Sequence, residues 1–169
     1  SQVVHGQVTR GMELTSLYDD IQRGGSRAET TVISFGESPA SAHVASSLGL
    51  PTGTPVTESL RIRYADGVPM AVLHNWIPHT IGTLTKDELD AKGLYQILRE
   101  RGFVPQVGKQ RISARKATQA EAKNLDVESG AAVLTMERTA YDSMGRAIEH
   151  GEHIYRTDLY SLEFTVVNK

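Results

Sequence analysis

The sequence contains no cysteine. That excludes disulfides, thiolate metal sites, iron–sulfur ligation and a cysteine nucleophile together. Aromatic residues are scarce, 6% of 169, with one Trp and three Phe. Charge of either sign is nearly balanced: 18 Lys and Arg against 20 Asp and Glu leave a net charge of −2. A nucleic-acid-binding domain ordinarily carries a basic surplus, so this chain is not expected to hold a phosphate backbone by itself. Long apolar runs are missing too. The longest apolar-like stretch, Gly67 to Leu73, falls far short of the roughly 18 residues of a membrane span. The opening SQVVHGQVTRG has no apolar signal-peptide region, which is the pattern of a cytoplasmic protein. It begins with Ser rather than Met, which points to a piece of a longer chain. Neither GxGxxG nor GxxxxGK[ST] occurs, so nucleotide-phosphate loops are unsupported.

What is present fits one domain able to bury a full core. An internal repeat stands out. Shifted by 77 positions, Ala40, Ala45, Leu48, Gly53, Val56, Arg61 and Tyr64 fall on Ala117, Ala122, Leu125, Gly130, Val133, Arg138 and Tyr141. Each copy reads as an Ala-rich helix, a Gly turn, a strand and a hairpin. The first helix is expected to open at Pro39, with Ser38 as its N-cap. Thr118 and Glu121 predict a capping box for the second. Val56–Tyr64 and Val68–Ile77 flank Asp66-Gly67, a strong two-residue hairpin signal. Val133–Tyr141 and Arg146–Tyr155 form the second pair. Further strands are expected at Glu29–Phe35, Gln106–Arg115 and Leu162–Val167. Helices are expected at Glu13–Arg23, Lys86–Asp90 and Leu94–Arg101. Consecutive hairpins cannot be parallel, so the fold class is α+β on an antiparallel sheet with flanking helices.

Several residues offer chemistry. Arg61 and Arg63 lie two apart on one strand, so both guanidiniums leave the same face. Paired forks suit a phosphate or carboxylate; the plainer reading is a solvated, ion-paired face. Ser34-Phe35-Gly36 sits where a strand is expected to give way to a helix, and backbone N–H groups at such a turn favour an anion. A plain connecting loop serves equally well. In Glu149-His150-Gly151-Glu152-His153-Ile154-Tyr155, period two sends Glu149, His153 and Tyr155 to one face and His150, Glu152 and Ile154 to the other. HGEH is therefore not a helical HExxH zinc site, and no metal or cofactor is expected. Glu and His on a buried face require a pocket or water. No spacing marks a Ser–His–Asp triad.

The ordered set Leu60-Arg61-Ile62-Arg63-Tyr64-Ala65-Asp66-Gly67, Trp76-Ile77-Pro78, Gly93-Leu94-Tyr95, Gln110-Arg111-Ile112-Ser113-Ala114, Glu137-Arg138-Thr139-Ala140-Tyr141-Asp142 and Tyr155-Arg156-Thr157-Asp158-Leu159-Tyr160 closely resembles the UTRA domain. That domain is the effector-binding half of GntR-family regulators of the HutC subfamily. The resemblance implies a chorismate-lyase-like fold, a homodimer, and operator binding by an absent N-terminal winged helix–turn–helix. Residues 1–12 would be a linker or arm from that module, and 13–169 the effector domain. It implies an anionic effector such as a sugar phosphate, phosphonate or carboxylate, held at Ser34, Phe35, Gly36, Arg61, Arg63, Gly93 and Tyr95. Glu149, His153 and Tyr155 would meet the ligand's polar end.

Two positions depart from amino-sugar sensors: Leu73 stands where those carry Glu, and Gly93 where they carry Ser. Leu73 cannot accept a hydrogen bond, and Gly93 removes a hydroxyl donor. His74 and His153 would supply a different polarity. Two other readings remain at this point. The same fold houses chorismate lyase, so Arg63 with Glu149 could process a carboxylated substrate. Alternatively the domain is a ligand-free dimerisation module, which a pocket too small or too closed for a ligand would favour.

Overall fold

Residues 8–10 and 13–169 are described by a computed structural model. In chain order the elements are β1 (Val8–Arg10), α1 (Leu17–Arg23), β2 (Ala28–Pro39), α2 (Ala42–Leu48), β3 (Pro55–Ala65) and β4 (Val68–Pro78). Then come α3 (Lys86–Ala91), α4 (Leu94–Glu100), β5 (Val107–Lys116), α5 (Gln119–Leu125), β6 (Ala132–Tyr141), β7 (Ala147–Arg156) and β8 (Tyr160–Leu162). Six strands make one antiparallel sheet in the order β2-β3-β4-β7-β6-β5. The fold is α+β, as the two hairpins require.

The repeat is visible in three dimensions. Ser41 and Thr118, 77 apart, each N-cap a seven-residue helix. Both helices end on a left-handed residue, Gly49 at φ 68° and Asp126 at φ 56°. β3 and β6 share the same alternation of buried and exposed residues from Pro55 and Ala132 onward. Each carries a register shift at the equivalent place, Arg63/Tyr64 and Ala140/Tyr141. The sheet is therefore two β-α-β-β units, β2-α2-β3-β4 and β5-α5-β6-β7, joined back to back through β4 and β7.

The helices divide between the two faces. α2 packs Val44, Ala45 and Leu48 against Val56 and Trp76. α5 packs Ala122 and Leu125 against Val72, Val133 and Ile154 on the same face. α1 covers the other face, placing Leu17 and Ile21 against Ala71, Leu73 and Tyr155. α4 lies beside it, its Leu94, Tyr95, Ile97 and Leu98 packed with Val32 and Ile77. The Thr118/Glu121 capping box forms as expected, and Thr85 with Glu88 makes another. Asp66 and Gly67 both take positive φ, 49° and 81°, the requirement of a two-residue hairpin turn matched to strand twist.

Three expectations are corrected. Pro39 does not open α2 but closes β2, and Ser41, not Ser38, accepts from the Val44 N–H. The expected strand at Leu162–Val167 is instead the short β8, paired in parallel with β1. The first helix is shorter than Glu13–Arg23, because the Ser16 side chain caps the Asp19 N–H and starts α1 at Leu17. Of the expected arm 1–12, residues 8–10 form β1; the rest lies outside the described residues.

Leu125 is wholly buried beneath the second unit. Leu125→Ala is expected to lower unfolding free energy by about 2–5 kcal/mol, the cost of a core cavity. Thr118→Ala should cost about 1 kcal/mol through the lost cap. Urea titrations with unchanged m-values check both; equal losses would contradict this division between core and cap.

Candidate anion-binding site

Period-two alternation along β3 puts Ser59, Arg61 and Arg63 on the face covered by α1 and α4. Register then fixes their neighbours: Leu73 lies opposite Arg61, Asn75 opposite Ser59, and Gly151 opposite Asn75. Across β6 and β7, Arg138 pairs with Gly151 and Met136 with His153. The result is a small, largely buried cavity lined by Arg61, Arg63, Asn75, Arg138, Glu149 and His153, with Ser16 and Leu17 at the start of α1 and Leu94 and Tyr95 on α4 over it. Leu73 and Tyr155 complete its wall.

Both strand arginines are buried, at 2% exposure each. Arg61 Nη2 donates to Asn75 Oδ1 at 2.8 Å. Asn75 Nδ2 passes the chain on to Glu149 Oε1 at 2.8 Å. Arg63 Nη1 donates to Thr30 Oγ1 at 2.8 Å, and its guanidinium lies 5.0 Å from the centre of the Tyr18 ring. Those contacts leave N–H groups over. Arg61 Nε and Nη1 and Arg63 Nε are buried without a hydrogen-bond partner, as is Ser59 Oγ. Unmatched buried donors are costly, and charged ones most of all.

The electrostatics agree. Burial pushes Arg61 down to about 10, against the pull of Glu149. Burial, and then the neighbouring charge of Arg61, hold Arg63 well below the ordinary arginine value. Burial also raises Glu149 above the ordinary carboxylate value, against the Asn75 hydrogen bond and the charge of Arg138. For Arg138 burial is outweighed by Tyr95, Tyr155 and Glu149, so its value rises. Three guanidiniums thus face one carboxylate across a space of about 30 Å³, room for a water molecule or two.

Arg138 also ties the cavity to its cover. It donates through Nη1 to the Thr15 carbonyl at 3.0 Å and to the Tyr95 hydroxyl at 3.3 Å. With Arg63 under Tyr18, the cationic groups of the sheet hold down both ends of the segment entering α1.

Of the residues singled out in the sequence, Arg61, Arg63, Leu73, Tyr95, Glu149, His153 and Tyr155 come together here. Others do not. Ser34, Phe35 and Gly36 are no strand-to-helix turn; β2 runs through them to Pro39, paired with Leu60, Ser59 and Glu58. Ser34 is exposed and takes the Leu60 side of the sheet, while Phe35 packs into the core under α4. His74 also lies on the opposite face, stacked on Trp76 with its Nε2 2.6 Å from Glu58 Oε2. Gly93 caps α4 beside the cavity, where an added Cβ would stand 3.0 Å from Tyr18 Cβ. Its missing side chain makes room for the ring that covers Arg63. The sequence reading missed Asn75 and Arg138. Both signals were there: Asn75 is two residues beyond Leu73, and Arg138 is the repeat counterpart of Arg61.

The profile of the UTRA domain matches residues 23–161. The chain belongs to the UTRA domain family. It is 28% identical over 149 residues to the HTH-type transcriptional repressor NagR of Bacillus subtilis, covering 88% of this chain and 61% of NagR. A crystal structure of a protein described as a transcriptional regulator from Streptomyces coelicolor superposes with TM-score 0.78 at 40% identity, over 85% of this chain and 97% of that one. The ligand-binding domain of a GntR-family regulator from Bordetella bronchiseptica gives 0.77 at 27% identity, over 84% and 90%. These UTRA relatives are named as regulators, not enzymes. The chain spans about three-fifths of NagR's length. Among the described residues no helix is long and apolar enough to cross a membrane.

The Arg63 charge is disfavoured by burial and by neighbouring Arg61, so an apolar side chain of similar length in its place removes a desolvation penalty and a repulsion. Arg63→Met is therefore expected to keep or raise the melting temperature of the unliganded domain. A melting temperature lower by several degrees in the variant would instead make the guanidinium a structural strut.

Proposed function

We propose that residues 13–169 are the effector-sensing domain of a GntR-family repressor of the HutC type, and that the cavity on the α1/α4 face binds a small anionic metabolite. The observation that carries this reading is the buried Arg61/Arg63 pair with three donor nitrogens lacking partners. A phosphate, phosphonate or carboxylate would satisfy them, and charge-assisted bonds of this kind are the strong ones. Glu149, His153, Tyr95 and Tyr155 would meet the hydroxyl-bearing end of a sugar phosphate or similar ligand. Buried Leu73 in the wall disfavours an amino sugar.

The cavity is too small for such a molecule as it stands, so admission requires the Ser16–Leu17 and Leu94–Tyr95 segments to move. A ligand that takes over the guanidiniums competes with their contacts to Thr15 and Tyr18 and so loosens the entry to α1. β1, paired with β8, precedes that entry; the chain ahead of β1 would lead to an N-terminal winged helix–turn–helix, and the regulator would act as a cytoplasmic homodimer on operator DNA. Differential affinity for the open and closed states is what shifts the population; a coupling of about 1–3 kcal/mol suffices for a graded response.

A second reading has one observation in its favour. The small, 30 Å³ cavity suits a dimerisation module without a ligand, and β5 leaves an open, largely exposed sheet edge.

Calorimetry against sugar phosphates, phosphonates and small carboxylates decides between them. At least one should bind, and Arg61→Ala and Arg63→Ala should each weaken it about 10- to 100-fold. Binding that ignores both substitutions rules out the anion site. Silence across the panel, with a stable dimer in sedimentation, establishes the dimerisation module.

A further inference from the structure

The opposite face of the sheet carries a second cluster that the effector reading does not use. Period two sends His150 and Glu152 of β7 away from the cavity, and Glu137 of β6 lies directly across from Glu152. His43, in the first turn of α2, reaches down onto them. His150 Nε2 stands 3.5 Å from Glu137 Oε1 and 3.5 Å from Glu152 Oε1. His43 Nε2 lies 3.6 Å from Glu152 Oε1 and in direct contact with Glu137 Oε1. One ligand atom from each of the four residues falls within 4.8 Å of all the others.

Two features point to a cation at the centre. His150 is 1% exposed, yet its Nε2 has no hydrogen-bond partner and faces the two carboxylates. Its other nitrogen, Nδ1, is 2.8 Å from the Thr139 hydroxyl. That is the outer contact that orients a ligating imidazole and fixes its tautomer. Two glutamates directly opposite one another across strands repel unless something positive lies between them.

We propose that His43, Glu137, His150 and Glu152 bind one divalent transition-metal ion of the zinc class. Two imidazoles and two carboxylates suit zinc better than magnesium or calcium, which take all-oxygen shells. Three of the six separations are 3.5–3.6 Å, close to the roughly 3.4 Å between ligand atoms of a tetrahedral ion with bonds of about 2.0–2.1 Å; the direct His43–Glu137 contact would open to that distance when the ion enters. Such an ion would clamp α2 to β6 and β7. It would also stiffen β7, whose alternate residues Glu149 and His153 line the cavity on the other face. The metal site stands independently of what that cavity binds.

The test uses the untagged chain, freed of metal with a chelator and titrated with Co²⁺ and then Zn²⁺. The expected result is one equivalent of Co²⁺ giving the intense visible bands of a four-coordinate ion, displaced by Zn²⁺, with a raised melting temperature. Because His150 is buried, the deciding variants are His43→Ala and Glu152→Gln on the exposed side. Each should weaken Zn²⁺ binding at least about 10-fold, as should Thr139→Val behind His150. Absence of four-coordinate Co²⁺ bands, or uptake that survives unchanged in both exposed variants, overturns the proposal.

Discussion

Two guanidiniums buried side by side on one strand set the terms for the rest of this domain. Arg61 and Arg63 share a face with almost no access to water. Desolvation penalises each charge, and their mutual repulsion adds to the penalty at Arg63. Asn75, Thr30 and the Tyr18 ring offset part of it. A fold that kept only apolar residues on this face would avoid that penalty; under the proposed anion-binding reading, the two charges trade stability for recognition. The cover follows from the same constraint. α1 and α4 must exclude water from the arginines, yet their contact with the sheet runs partly through polar groups able to let go.

The fold was largely legible in the sequence because its signals are local or repetitive. Asp66-Gly67 specifies a turn whatever surrounds it, and Thr118 with Glu121 specifies a helix start. The offset of 77 carried the most information, since it predicted two units before any pairing was known. Misreadings arose where tertiary pairing overrode a local signal. Pro39 reads as a helix opener, but β2 continues through it because β3 stays in register with it as far as Pro55, and the next residue, Ala40, donates its N–H to the Thr54 carbonyl. Ser34 reads as an anion-binding turn for the same mistaken reason, and a bulge after Val32 turns it to the other face.

The site was legible wherever one strand's alternation sufficed, as for Arg61 and Arg63 or Glu149 and Tyr155. Residues set by pairing between strands were harder. Asn75 joins Arg61 to Glu149 only because β3, β4 and β7 are adjacent in that order. The histidine–glutamate cluster shows the limit most clearly. Its four residues span 110 positions of the chain, from His43 to Glu152, and alternation alone places just two of them together.

The duplication has one further consequence. Register makes Arg63, opposite Ala71, the counterpart of Ala140, opposite Glu149. At this position one unit contributes a cation where its twin contributes a methyl group, and the twin contributes a carboxyl where the first contributes a methyl group. Arg61 and Arg138 match across the repeat, so two units alike in backbone enclose a space with two guanidiniums from one side and a guanidinium beside a carboxyl from the other. A space built by duplication is in this way lopsided in charge, although its walls are paired strand for strand.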